Sequence, residues 1–288
     1  MGDGKLKDAI AGLISEEINP AGESYRCLRL SATRQLAREF SLPGKQVEIA
    51  ALEEGIVPER YQRSLGTVGM NGQINLLRSK VGVLGAGGLG GFAFELLARM
   101  GVGHLIVVDG DSFSESNLNR QLVATEETLD EPKAKVAQKR IKQVNSAIDI
   151  EVFSCLGEKE NLYQLFAGCD IVLDCLDNLP SRFVLEKVCT DLAVPMIHGA
   201  IAGFLGQLAV IRPGKPVLGK IYGNSNEETR HGVEAQLGNP AVTPAMLGSW
   251  QAGEAIKILA GLEGVLPEGS LLIIDMQNGE SYQIELEV

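Results

Sequence analysis

From residue 80 onward the chain alternates between two hydrophobic periods. Short runs rich in Val, Ile and Leu read as buried strands: KVGVLGA, HLIVVDG, DIEVFS, DIVLDC and PMIHGA. Most are followed by segments with apolar residues at helical spacing, GLGGFAFELLARMG, EPKAKVAQKRIKQVNS and LPSRFVLEKVCTDLA. This rhythm predicts an α/β fold, a Rossmann-like, doubly wound and mainly parallel sheet with helices on both faces. Three later runs, FLGQLAVIRP, SLLIIDM and ESYQIELE, depart from it and are expected to add antiparallel strands. TPAMLGSWQAGEAIKILAGL is the last helix, with Ala and Gly residues that permit close packing.

Residues 1–58 read differently, as a small helical N-terminal extension. Leu6, Ile10, Leu13 and Ile14 fit one short amphipathic helix. After a Pro/Gly break, SATRQLAREF offers a second with Leu36, Ala37 and Phe40 in phase, and SLPGKQVEIAALEEG a turn and a third. Three short helices also occur in helix-turn-helix DNA readers, but the charge of this chain argues against that use. Some thirty residues between about Arg212 and Val242 are rich in Gly, Pro, Asn and charge, and a loop of that length in a compact domain is usually functional or mobile.

Composition narrows the classes further. The 288 residues carry a formal net charge of −11, so no broad basic surface is expected for nucleic acid or an anionic membrane. No apolar run approaches the roughly 20 residues of a membrane span, and MGDGKLKDAIAGL has no cleavage signature. A cytoplasmic protein is expected. Cys27, Cys155, Cys169, Cys175 and Cys189 form no C-x-x-C pair, which argues against a disulfide framework or a structural zinc site.

Gly85, Gly87 and Gly90 stand in G-x-G-x-x-G spacing after the first strand, and Asp109 follows 19 residues after Gly90 at the end of the next. Such a turn lets backbone amides approach a phosphate at a helix N-terminus, and the acidic residue can hold a ribose. On these residues alone a nicotinamide dehydrogenase is the default, and the glycines could serve the fold only. DGDSFSESNLNRQLV then places Asn117, Arg120 and Gln121 at the strand mouth, with Lys133 opening the next helix. Several fixed cations suit a triphosphate, whose charge must be neutralised as pyrophosphate leaves. DIVLDCLDN puts Asp174 and Asp177 at the end of the fourth strand. Asp177 is the better placed to hold Mg²⁺ on the phosphates, while Asp174 caps the strand or orders the turn.

In this order, RYQRSL, GAGGLG, VVDGDSFSESNLNRQ, PKAKV, DCLDNLPSR and GSWQAGEAIKIL resemble the ThiF/MoeB/HesA family of ubiquitin-activating-enzyme-like adenylyltransferases. The resemblance covers residues 59–288 and implies an ATP-binding adenylyltransferase domain there. It implies that the C-terminal glycine carboxylate of a small ubiquitin-like sulfur-carrier protein attacks the α-phosphate of Mg-ATP. Carried over by motif, Gly85, Gly87 and Gly88 would approach the nucleotide and Asp109 would hold the ribose, with Asp111 in the same acidic turn. Asn117, Arg120 and Lys133 would reach the phosphates, Gln121 would orient Arg120, and Asp177 would position magnesium. Arg182 would pair with Asp177 or face solvent. Arg63 in RYQR resembles the arginine this family inserts into the partner subunit's site, which implies a homodimer.

The chain also departs from that pattern. Where many relatives have two zinc-binding C-x-x-C pairs, it has VLGK (residues 217–220) and an IELEV end, so zinc is not expected. The run from Arg212 to Trp250 contains no cysteine to form a thioester or acyl-disulfide, which implies that the reaction stops at the acyl-adenylate. Cys189, His198 and His231 are expected to be structural or solvated rather than catalytic. The alternatives are an NAD-dependent oxidoreductase and a binding module of the same fold without turnover. The carrier is open among those of molybdopterin, thiamine, cysteine, tRNA-thiolation and peptide-product routes. Residues 1–58 would help select it or cover the dimer seam.

Overall fold

The computed structural model describes residues 3–223 and 234–286. The N-terminal part runs α1 (Asp3–Ala11), β1 (Ser15–Ile18), β2 (Ser24–Leu28), α2 (Leu30–Glu39), α3 (Gly44–Glu53), β3 (Val57–Pro58) and α4 (Leu65–Arg78). Next come β4 (Lys80–Leu84), α5 (Gly88–Arg99), β5 (His104–Val108), α6 (Lys133–Val144), β6 (Asp149–Phe153), α7 (Lys159–Phe166), β7 (Ile171–Asp174), α8 (Leu179–Asp191) and β8 (Met196–Ala202). The chain closes with β9 (Leu205–Ile211), α9 (Leu218–Tyr222), α10 (Glu234–Leu237), α11 (Val242–Ala260), β10 (Ser270–Asp275) and β11 (Glu280–Glu285).

The main sheet has the order β11-β10-β9-β8-β7-β4-β5-β6. From β6 to β8 the neighbours pair in parallel, and β9, β10 and β11 add antiparallel strands, as the run of strand-like segments predicts. The chain winds outward from β4 to β6 and then returns to place β7 on the other side of β4. Turns leaving those two strands diverge, so a crevice opens at their C-terminal ends. The pairing of Leu84 with Asp174 sets the glycine turn and the Cys175–Asn178 turn side by side.

Period-two alternation gives the sheet two apolar faces. Val81, Val83, Leu105, Val107, Ile171 and Leu173 pack with Ala93, Phe94 and Leu97 of α5. On the other face Leu84, Ile106, Val108 and Val172 meet Leu162 and Phe166 of α7 and Leu185 and Val188 of α8. Gly82 is glycine because a Cβ there would lie 2.6 Å from Phe166 Cδ1. The small residues of α11 do bring it close to α5, since a Cβ on Gly248 would lie 2.7 Å from the Leu89 carbonyl oxygen.

All three helices expected in residues 1–58 form, but α1 ends at Ala11, short of Leu13 and Ile14, and the extension is not helical throughout: the Pro/Gly break is a β-hairpin that β3 joins in a three-stranded sheet. Asn19 closes it by accepting the Ala21 and Glu23 N–H groups at 2.9 and 3.0 Å, and Gly22 takes φ +84°. Helices α4 and α7 are additions that sequence periodicity did not show. Glycines at 66, 69 and 72 dilute the pattern of α4, yet Gly72 is what lets it pack on Ala260 of α11, 3.2 Å from a Cβ built there. A buried polar group locks this part to the main sheet. Glu48 of α3 meets Arg60 at 3.3 Å and accepts the Tyr61 hydroxyl at 3.0 Å, while Asn145, beyond α6, donates to that hydroxyl at 3.0 Å. Burial pushes the Glu48 carboxyl up to about 6, against the pull of Arg60 and Tyr61.

Candidate nucleotide-binding site

The glycine turn leaves β4 with Gly85 at φ +97°, its N–H donating to the Val108 carbonyl at 2.8 Å. A Cβ on Gly85 would lie 2.6 Å from the Cys175 carbonyl oxygen, and one on Gly90 only 1.8 Å from the Gly85 carbonyl oxygen. These two glycines therefore let α5 start directly against the strand end, with its unpaired N–H groups at the crevice. Because the Gly85 oxygen is backbone and cannot swing away, Gly90→Ala is expected to lower stability by about 3 kcal/mol. Urea unfolding followed by circular dichroism checks this, and a loss below about 1 kcal/mol would show that the turn relaxes around the methyl group.

Asp109 lies behind the turn. One carboxylate oxygen accepts the Ala86 N–H at 2.7 Å and the other accepts the Asp111 N–H at 2.8 Å. Burial raises its carboxyl above the usual range despite these donors. Each oxygen keeps a second lone pair, so the residue can brace the glycine turn and still accept from a ligand hydroxyl. Lys133, buried at the first position of α6, reaches the exposed Asp111 carboxylate at 2.9 Å, and its own N–H donates to the Asp111 carbonyl at 2.9 Å.

SNLNRQ forms a tight turn in which its residues take different duties. Asn117 is buried, and its side-chain oxygen accepts the Ser114 N–H at 3.1 Å in a capping box. Arg120 donates to the Ser116 carbonyl and to Asn119 Oδ1, both at 2.9 Å. Gln121 lies against the glycine turn, its Nε2 3.4 Å from a Cβ built on Gly87. Its Oε1 is buried without a hydrogen-bond partner among the described residues, an acceptor that a ligand or water in the crevice would satisfy. A Cβ on Gly88 would come 3.2 Å from Pro244 Cβ, which puts the start of α11 beside the turn. Asn119 donates to the Asn239 carbonyl at 3.3 Å, so the end of the long loop also borders the site. Sequence reasoning missed Asn119, Asn239 and Pro244, although the length of that loop marked the region.

Asp177 is exposed in the turn between β7 and α8, with a 3.4 Å contact from Asn178 Nδ2. Arg182 neither pairs with it nor faces solvent, contrary to expectation. It is 5 % exposed and turns inward to the Leu176 carbonyl, His198 and the Tyr222 hydroxyl. Asp174 orders the turn as expected, since its Oδ1 accepts the Leu176 N–H at 3.1 Å. His198 is fully buried and hydrogen-bonded to Asp174 at 2.6 Å. His231 lies outside the described residues. Cys189 is buried on α8, and burial pushes its thiol up to about 12, too high for a thiolate nucleophile at neutral pH.

Arg63 lies apart from the glycine turn in this chain. It is exposed and lines a separate cavity of about 420 Å³ with Met100, Trp250 and Glu254. Met100 follows the C-terminal end of α5, and the glycine turn lies at the N-terminal end, so a 12-residue helix of about 18 Å separates them.

The fold is a doubly wound α/β sheet with a glycine turn at a helix N-terminus beside Asp109, the Asp111–Lys133 pair and the SNLNRQ turn, the arrangement of nucleotide-binding α/β proteins. The ThiF family model matches residues 61–287, and the chain belongs to that family. It is 38 % identical over 219 residues to the SAMP-activating enzyme E1 of Haloferax volcanii, covering 75 % of this chain and 81 % of that one. It is 36 % identical over 231 residues to the sulfur carrier protein ThiS adenylyltransferase of Escherichia coli, covering 79 % and 90 %. The crystal structure of E. coli MccB with MccA-N7isoASN has the same fold, with a TM-score of 0.69 at 19 % identity over 79 % of this chain and 72 % of that one.

Proposed function

We propose that the protein is an adenylyltransferase that activates the C-terminal glycine carboxylate of a small ubiquitin-like sulfur carrier with ATP, as a cytoplasmic homodimer. One observation carries this reading: the glycine turn has Cys175, in the turn that leads to Asp177, against Gly85 and has Gln121, next to Arg120, against Gly87, while Asp109, Asp111 and Lys133 are linked to it by hydrogen bonds. Family membership and the relatives' activities support it.

The carrier carboxylate attacks the α-phosphorus, an oxygen–phosphorus bond forms, and the bond to the bridging oxygen of the pyrophosphate breaks. A carboxylate is already nucleophilic at neutral pH, so the reaction needs no general base, and the site's tasks are to bring two anions together and to offset charge on phosphorus. Gly85, Gly87 and Gly88 approach the phosphates through the backbone, Asp109 accepts from the ribose, and Asn117 shapes the turn that aims Arg120. Gln121 offers its unpaired oxygen. Lys133 exchanges Asp111 for a phosphate oxygen. Arg63 acts in the crevice of the partner copy.

Among the described residues no group of three His, Cys, Asp or Glu side chains could hold a metal by itself. Mg²⁺ on a nucleotide takes only one or two protein carboxylates and completes its shell with phosphate oxygens and water, which a single exposed Asp177 fits. Bound there it would offset charge on the departing pyrophosphate. No zinc site is proposed, because VLGK and IELEV carry no cysteine.

The test is carrier-dependent ATP–pyrophosphate exchange with small proteins ending in Gly-Gly from the same organism. Exchange with at least one carrier is expected. Recovery of NAD from the purified protein, with no binding of Mg-ATP, would instead establish the oxidoreductase reading.

A further inference from the structure

In the turn that carries Asp177, the Leu176 peptide is tied down on both sides, and the ties come from residues far apart in the chain. Asp174 at the end of β7 accepts the Leu176 N–H, and Arg182 of α8 donates Nη2 to the Leu176 carbonyl, so both faces of that residue's backbone are held. Asn178 caps α8 by accepting the Ser181 N–H at 3.0 Å. Beneath them Asp174 Oδ2 accepts from His198 Nδ1 of β8 at 2.6 Å, which fixes the tautomer and leaves Nε2 as an acceptor for the Tyr222 hydroxyl at 3.0 Å. The Tyr222 oxygen in turn accepts from Arg182 Nη1 at 3.3 Å and from Gln207 of β9. The two rings meet edge to face, 5.7 Å between centroids.

The group is electrically balanced. Burial alone would raise the Asp174 carboxyl, but Arg182, the His198 hydrogen bond and the Leu176 N–H outweigh it and hold it below the usual range. Burial also depresses the imidazole of His198, so a neutral ring sits between one carboxylate and one guanidinium. A satisfied buried network of this kind specifies a single geometry.

We propose that Asp174, Arg182, His198 and Tyr222 are positioning residues for Asp177: they fix the Leu176 peptide and so hold the Asp177 carboxylate at the mouth of the crevice. Resting on the adenylation reading for its catalytic consequence, the assignment also makes a prediction about the ligand-free protein. Tyr222→Phe removes the hydroxyl and keeps the ring, and His198→Asn keeps a donor for Asp174 while losing the acceptor for Tyr222. In either variant, amide hydrogen exchange of a peptide spanning residues 175–178 is expected to quicken about 10-fold, as local opening becomes easier. In pyrophosphate exchange, kcat is expected to fall about 10-fold through misplacement of Asp177, with KM for the carrier unchanged. Tyr222→Phe introduced into Asp177→Ala is expected to cause no further loss, because it acts through the missing carboxylate. The proposal is overturned by unchanged amide exchange at 175–178, or by an equal Tyr222→Phe effect with and without Asp177. Should the wild-type protein activate no carrier, the adenylation reading fails, and the amide exchange still decides the positioning role.

Discussion

Replacing Arg120 or Asp177 by alanine is expected to lower carrier-dependent pyrophosphate exchange by about 10²- to 10³-fold, the usual cost of one preorganised electrostatic contact in a transition state. Arg120 is half-buried and Asp177 exposed, and among the described residues their hydrogen bonds are local: Arg120 to Ser116 and Asn119, Asp177 to Asn178. Their removal therefore leaves no buried partner unsatisfied, and the unfolding midpoint is expected to stay within the small range of a surface substitution. Near-normal exchange in both variants would remove these residues from the reaction. A parallel loss of activity and of folded protein would instead mean that the SNLNRQ turn depends on Arg120 for its shape.

The second large effect concerns the assembly. Arg63→Ala alone and Asp177→Ala alone are each expected to be nearly inactive. In the proposed homodimer, however, a mixed pair would have one crevice with an intact Asp177 that receives Arg63 from the other chain. Random exchange makes half the dimers mixed, with one complete site in two, so mixing the inactive variants should restore about one quarter of the wild-type activity. The distance along α5 between Arg63's cavity and the glycine turn is what makes this outcome specific, since the residue cannot serve its own site. Strong activity of Arg63→Ala by itself, or no recovery on mixing after subunit exchange, would reject the shared site. The exposed Trp250 beside Arg63 offers a fluorescence signal for the exchange.

Much of this protein was legible without coordinates, and particular elements show why. The strands β4, β5, β7 and β8 are continuous apolar runs because both faces of a parallel sheet are covered, and their order with the intervening helices fixes where the switch point falls. Gly85 and Gly90 follow from backbone approach, a property local to the turn, and Cys189 was correctly read as core from its apolar helix face. Helix α4 was not legible because its stability comes from Gly72 meeting Ala260, a contact 188 residues away that overrides low helix propensity.

By itself the sequence determined the class of fold, the glycine turn and the set of residue types at the crevice, because each depends on a period or spacing within a few tens of residues. Only the tertiary structure decided which of those side chains face the ligand space and which face inward. Arg182 reads like an exposed cation near Asp177, yet it is drawn inward by Asp174, His198 and Tyr222, residues brought in by three separate elements. Arg63 reads as a site residue and lies a helix length away from the site in its own chain. Burial and pairing of a charge are properties of the packed whole, set by which distant donors and acceptors share its low-dielectric surroundings.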